Sequence, residues 1–330
     1  MKLSDFDYDL PKELIAQHPL KDRDSCRLLV VNRKQGTIEH RVFRDISAYL
    51  CPGDLLVLNN TKVRTCRLRG IRKTGGKVEV FLLRRKEGLC FDVMLKPGRL
   101  KPGERVGFKD PSVSAALTGV NEVTFEAPSV EAVYAQGEIP LPPYIKRLPE
   151  ASDEVYYQTV YAEFDGSVAS PTAGLHFTPL LLERIKEQGV ELAYVTLHVG
   201  LGTFKSVTSD DIRQHIMGEE FFTVPERTQE ALARTRAQAA GRIIAVGTTT
   251  CRSLESYASG KASGFTDLFM YPGYCFNFVD GLLTNFHLPR TTLFMLVCAF
   301  AGTPLARQAY EEAIREKYRF YSYGDAMFII

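Results

Sequence analysis

Between about residue 62 and residue 135 the chain runs through β-like segments with no helical pattern of convincing length, whereas strands and helices alternate on both sides of it. That interruption limits the fold more than any other feature. CRLRGIRKTGGKVEVFLLRR reads as two strands around a Thr-Gly-Gly turn, FDVMLKPGRLKPGERVGF adds another strand and two Pro-Gly turns, and VSAALTGVNEVTFEA continues with short β runs. Such a series predicts a small barrel. It ends in GEIPLPPYIKRLPE, where four prolines predict a stiff linker.

The flanks carry a different rhythm. Asp54 to Leu58 is a short buried strand before the interruption. After it, TPLLLERIKEQGV reads as a helix with Thr178 as N-cap, Pro179 in the first turn and Gly189 as the stop. ELAYVTL, RIIAVG, DLFMY, LLTNF and AMFII read as strands, and PERTQEALARTRAQAA, TTTCRSLESYA, TTLFMLVCAFA and PLARQAYEEAIREKYR as helices. The expected fold is therefore α/β: one discontinuous domain, residues 1–61 and 151–330, interrupted by an inserted β-barrel domain with a basic surface at residues 62–150.

The net charge is +2, yet residues 62–109 hold 15 Lys and Arg against 4 Asp and Glu. Positive charge gathered in one segment of a near-neutral chain is the footprint of a polyanion partner, and Lys62, Arg67, Arg69, Arg72 and Lys73 are the candidate contacts. The alternative is a solvated face of arginine-rich strands. The seven cysteines form no C-x-x-C and no zinc spacing with the six histidines, so free thiols and no metal are expected. The acidic, polar opening does not read as a signal peptide, and the longest apolar run, Leu293 to Ala301, is too short to span a bilayer. A soluble, cytoplasmic chain without membrane contact is the expectation.

Several strands run directly into polar loops: DLLVL into Asn59-Asn60-Thr61, VTL into His198 and the glycines that follow, RIIAVG into Thr248-Thr249-Thr250, and LLTNF into His287. Ligands of α/β folds bind beyond the carboxyl ends of strands, so these loops and VASPTAGLHFT (168–178) predict a shared polar pocket. LHVGLGTF lacks the third glycine of a dinucleotide fingerprint, and no Walker A, H-E-x-x-H or G-x-S-x-G string occurs. His176, His198 and His287 each sit in one of these loops, and at least one is expected to carry a proton.

SPTAGLHFT (170–178), LHVGLGTF (197–204), AVGTTTCRSLES (245–256), YPGY (271–274), TNFHLPRTTL (284–293) and RFYSYGDAMFI (319–329) closely resemble the S-adenosylmethionine:tRNA ribosyltransferase-isomerase family of queuosine biosynthesis. GEIPLPPYI, YQTVYA and the opening FDYDLPKELIAQHP do so as well, so the resemblance spans essentially the whole chain. It implies an α/β domain interrupted by a β-barrel. It also implies transfer and isomerisation of the ribosyl group of S-adenosylmethionine, the cosubstrate, onto 7-aminomethyl-7-deazaguanine at a tRNA wobble position. The resemblance further implies that epoxyqueuosine-tRNA forms and that adenine and methionine are released. Departures from the family pattern are local: Asn60 and Lys62 stand where Asp and Arg are usual, RTCR replaces Ile-Pro-Ala-Arg, and Ser170 and Leu201 replace alanines.

A sulfonium acidifies the C5′ protons of the attached ribose, so a base near neutrality can begin the rearrangement, and His176 or His198 is the candidate. Thr172, Thr178 and Thr203 are expected to hold ribose hydroxyls, and Gly174, Gly200 and Gly202 to let the ligand approach the backbone. Arg252, Asn285 and His287 complete the expected substrate loops. Tyr271 or Tyr274 would face the sulfonium, and Asp325 or Tyr323 would assist departure of adenine. A monomer acting on precursor-bearing tRNA is expected. A nonenzymatic RNA-binding factor and a nucleotide hydrolase are the rival classes; the first leaves the histidine and threonine loops unexplained, the second the basic segment.

Overall fold

The structure, a computed structural model, describes residues 1–96, 100–200, 207–238 and 241–330. Its larger sheet has nine strands in the spatial order Ser263–Thr266, Glu220–Thr223, Glu191–Leu197, Leu55–Asn59, Ile243–Val246, Gly281–Asn285, Ala326–Ile329, Arg27–Asn32 and Thr37–Val42. Leu55–Asn59 lies between Glu191–Leu197 and Ile243–Val246 and is parallel to both, and Gly281–Asn285 continues the parallel run. All five residues of Leu55–Asn59 are buried, as expected for a strand covered on both faces. Leu55 and Val57 enter one hydrophobic cluster with residues of the helices Glu226–Ala237, Thr248–Tyr257, Thr292–Ala301 and Thr303–Arg315. Leu56 and Leu58 enter another, with Phe43, Phe177 and Leu181. The alternation of side chains along the strand thus separates two cores, and the sheet is the middle layer.

The smaller sheet closes on itself: Arg67–Arg72, Lys77–Arg85, Cys90–Lys96, Glu122–Glu126, Ser114–Gly119 and Arg105–Gly107 pair in that order, and the last returns to the first. A six-stranded barrel results, filled by Leu68, Val80, Phe91, Val93, Val123 and Phe125. The expected α/β fold with a β-barrel in mid-chain is what the structure has.

Local differences have physical reasons. The strands Arg27–Asn32 and Thr37–Val42 were not expected; the second is an edge strand with no buried residue, so it lacks the apolar alternation that marks a strand. DLFMY is not a strand: pairing in that region is made by Ser263–Thr266 just before it, while Met270 is buried in the core. One short helix, Val130–Tyr134, packs Val133 into the barrel cluster and is capped by Ser129, which accepts from Ala132 N at 3.2 Å. The proline-rich segment is not a free spacer. Its Ile139, Leu141 and Ile145 are buried with Ala16, Val63, Tyr157 and Leu175.

Candidate active site

The parallel strands Glu191–Leu197, Leu55–Asn59, Ile243–Val246 and Gly281–Asn285 deliver their carboxyl ends to one side of the sheet. There a cleft of about 1620 Å³ opens between sheet and barrel, lined by His198, Thr248 and Arg252 and by Arg64, Arg84 and Arg85. His198 follows Leu197 directly. Its Nδ1 lies 2.8 Å from Thr61 Oγ1, and Thr61 is fully buried. Asn59 fixes the start of this loop: its Oδ1 accepts from Thr61 N and Leu197 N, both at 3.1 Å, and its Nδ2 donates to Leu197 O at 3.0 Å.

The imidazole of His198 lies against the backbone of Gly166. A Cβ there would be 2.8 Å from the ring, so no other residue fits without displacing it. Partial burial lowers the pKa of His198 below the usual histidine value, while the carboxylate of Asp165 acts in the opposite sense. The ring is neutral at pH 7 and can accept a proton. Asp165 also receives Arg64 Nη2 at 2.9 Å, and Lys62 Nζ stands 3.9 Å from it. A ladder of rings leads outward: His198 lies nearly parallel to Phe221 with centroids 6.4 Å apart, and Phe221 meets the 60% exposed Phe265 edge-on at 5.4 Å.

Arg252 forms the floor. Nη1 donates to Glu220 Oε2 at 2.7 Å, and Nη2 to the carbonyls of Gly218 and Thr266. Glu220 Oε1 accepts from Gly200 N at 2.9 Å, so this ion pair anchors the start of the glycine loop. Burial lowers the pKa of Arg252, yet the guanidinium remains charged at neutral pH.

A family model described as Queuosine biosynthesis protein matches residues 3–329. The chain belongs to this family. An S-adenosylmethionine:tRNA ribosyltransferase-isomerase of Sulfurihydrogenibium sp. (strain YO3AOP1) is 54% identical over 337 residues, covering 100% of both chains. Among solved structures, the crystal structure of an S-adenosylmethionine tRNA ribosyltransferase from Thermotoga maritima matches with a TM-score of 0.59 and 39% identity, covering 99% of this chain and 100% of that one.

Within this queuosine biosynthesis fold the expected site residues divide. His198, Gly200, Thr248 and Arg252 line the cleft; Thr172, Asn285 and His287 line a smaller pocket that adjoins it. Gly202 and Thr203 lie outside the described residues. His176 is in neither of these but lines a separate small pocket of about 20 Å³ with Arg23, Cys26 and Tyr323. Its Nδ1 is 3.1 Å from Cys26 Sγ and its Nε2 3.1 Å from Asn285 Nδ2, so both nitrogens are engaged, and burial lowers its pKa to about 3. It is a packing histidine against Phe43, with ring centroids 5.0 Å apart. His287 resembles it, with Nε2 2.8 Å from Thr284 Oγ1 and a pKa lowered by burial to about 3.

Other expectations are corrected by geometry. The Thr178 hydroxyl caps the helix Pro179–Glu187 by accepting from Leu181 N at 3.1 Å. Gly174 makes room for the protein itself, since a Cβ there would stand 2.0 Å from Tyr161 Oη. Asp325 accepts from the backbone N–H of Arg27 and Arg319 at 2.9 and 2.7 Å, and Tyr323 donates to Asp153 at 2.7 Å, so both hold the chain together away from the cleft. Tyr271 packs against Phe269 and Tyr274 donates to Glu255; the cleft's aromatics are Phe91, Tyr134, Phe221, Phe265 and Phe269 instead. Arg67, Arg69 and Arg72 are bound to Glu79, Glu138 and Glu104 and do not line the cleft; Lys73 is exposed in the turn that follows. Thr61 was read as part of a pocket loop without a role, and Asp165 and Glu220 were missed. The string Asp165-Gly166-Ser167 is a legible turn signal, but nothing local in it points to His198.

Proposed function

We propose that this protein transfers and isomerises the ribosyl moiety of S-adenosylmethionine onto 7-aminomethyl-7-deazaguanine at a tRNA wobble position, yielding epoxyqueuosine-tRNA and releasing adenine and methionine. The observation that carries the reading is a neutral, oriented imidazole in a cleft that cations also line: His198, held by Thr61, shares this space with Arg64, Arg84 and Arg85. The full-length likeness to the Sulfurihydrogenibium ribosyltransferase-isomerase supplies the reaction class.

The sulfonium of the cosubstrate acidifies C5′–H, and His198 removes that proton. The imidazolium formed is stabilised by the Asp165 carboxylate, whose field favours the charged ring. Barrel arginines neutralise phosphates of the anticodon arm, and Phe221 and Phe265 offer faces on which a splayed base stacks. We take the domain division to fall at residues 61/62 and 150/151.

Incubation with S-adenosylmethionine and tRNA carrying the deazaguanine precursor tests the reading by free adenine. Release that requires both substrates is expected. An RNA-binding factor releases none, and a nucleotide hydrolase acts without tRNA.

A further inference from the structure

The pocket adjoining the cleft has a volume of about 60 Å³ and shares Val199, Thr248, Thr249 and Leu293 with it. Its chemistry is two-sided. On one side begins the ten-residue helix Thr248–Tyr257, whose N-cap is Gly247 at φ 91°. Glycine has no side chain to satisfy the first-turn N–H groups, so they present donors and a partial positive charge. On the other side stand Ser170 Oγ and Asn285 Oδ1, two buried atoms without a hydrogen-bond partner among the described residues, on side chains only 5% and 1% exposed. The Asn285 amide is oriented by its own contacts: Nδ2 donates to Tyr321 O at 3.1 Å, leaving Oδ1 as the acceptor still unpaired.

Uncapped donors opposite unpaired acceptors match an α-carboxylate beside an α-ammonium. We infer that this pocket receives the α-amino-acid head of S-adenosylmethionine, with the carboxylate on the Thr248 helix terminus and the ammonium on Asn285 and Ser170, while sulfonium and ribose remain in the cleft near His198. The inference rests on the proposed reaction. It explains why the two cavities share Thr248 and Thr249: the cosubstrate crosses that wall.

The test compares three ligands at saturating precursor tRNA: S-adenosylmethionine, its decarboxylated analogue, and 5′-dimethylsulfonio-5′-deoxyadenosine, which keeps the cation but lacks the amino-acid head. The wild type is expected to bind the decarboxylated analogue roughly tenfold more weakly than the cosubstrate, and the headless cation more weakly still. Thr248→Pro deletes one N–H where helices tolerate proline, and should weaken S-adenosylmethionine by roughly tenfold while leaving the headless cation within about twofold. Ser170→Ala should weaken only ligands with an amino group, by a few-fold. Equal affinity of the wild type for headless and intact ligands, or equal weakening of both by the variants, would overturn the inference and leave the pocket to water. If Thr248→Pro fails to fold, the wild-type ligand series and Ser170→Ala still decide. Absence of adenine release by the wild type defeats the reaction itself; adenine release without discrimination among the heads defeats only the subsite.

Discussion

Thr61 Oγ1 and His198 Nδ1 lie 2.8 Å apart although 137 residues separate them in the chain. The hydroxyl is fully buried and the ring only partly so, which makes Thr61 the fixed partner and His198 the reactive one. His198→Ala is expected to lower turnover by roughly 10²- to 10⁴-fold with tRNA affinity retained. Thr61→Val removes the orienting hydroxyl and should lower kcat more than it changes KM. Near-normal turnover of His198→Ala in an adenine-release assay would remove it as base.

Gly166 gives an independent check on the same ring. Gly166→Ala puts a methyl where 2.8 Å separates Cβ from imidazole, so the ring must move. Turnover should fall, and the Tm should fall modestly with it, because residue 166 sits at φ 149°, which glycine adopts far more readily than alanine. A large drop in Tm with unchanged kcat per folded molecule would contradict this role for Gly166.

Charge reversal separates the two sets of barrel arginines. Arg84→Glu with Arg85→Glu, on the cleft wall, should weaken tRNA binding and flatten the slope of log Kd against log salt by about one for each phosphate left without its cation. Arg69→Glu with Arg72→Glu should matter less, because neither residue lines the cleft, whereas Arg84 does although it too is paired, with Asp92 at 2.8 Å. Equal weakening by both pairs, read by filter binding at several salt concentrations, would extend the tRNA surface over the outer barrel.

Acid stability should report the buried histidines. His176 and His287 have folded pKa values lowered to about 3 by burial, so below about pH 6.5 the unfolded chain binds protons that the folded one refuses. Stability is complete above pH 6.5 and falls as pH drops toward 3. Each histidine contributes a slope of up to about 1.4 kcal/mol per pH unit. His176→Gln should remove one such contribution; an unchanged slope in urea melts would show that His176 is protonated in the fold.

Phe265 is the outer ring of the aromatic ladder and is more than half exposed. Phe265→Ala should weaken tRNA carrying the precursor by about 1–3 kcal/mol, the usual worth of one stacked base, and leave the Tm unchanged. A variant that binds tRNA normally would reduce the ladder to surface packing.

Much of this architecture is legible in the residues themselves. ELAYVTL is a strand over the predicted seven positions, Thr178 caps its helix, and the run of β segments closes into the barrel. What escapes is information held between distant segments. Arg69 and Arg72 read as free positive charge because their carboxylates lie 69 and 32 residues away. His176 and His198 occupy similar polar loops, and only packing distinguishes them: one ring is enclosed by Cys26, Phe43 and Asn285, while the other borders the cleft. Asp325 sits in a Tyr-Gly-Asp string that suits either a turn or a ligand contact, and the backbone of Arg27 and Arg319 claims its carboxylate for the turn.

The position of Leu55–Asn59 between Glu191–Leu197 and Ile243–Val246 has a consequence during biosynthesis. At ordinary ribosomal rates, roughly ten to forty seconds pass between emergence of this strand and of its second neighbour. For most of that interval, until Glu191–Leu197 emerges, Leu55, Leu56, Val57 and Leu58, all fully buried in the finished protein, have no parallel neighbour to pair with. The barrel pairs only residues from Arg67 to Glu138 and can close while the chain is still being made. Nascent molecules therefore carry a finished barrel and a waiting apolar strand, and slowing translation downstream of residue 140 should raise aggregation and chaperone demand more than slowing it upstream of residue 50.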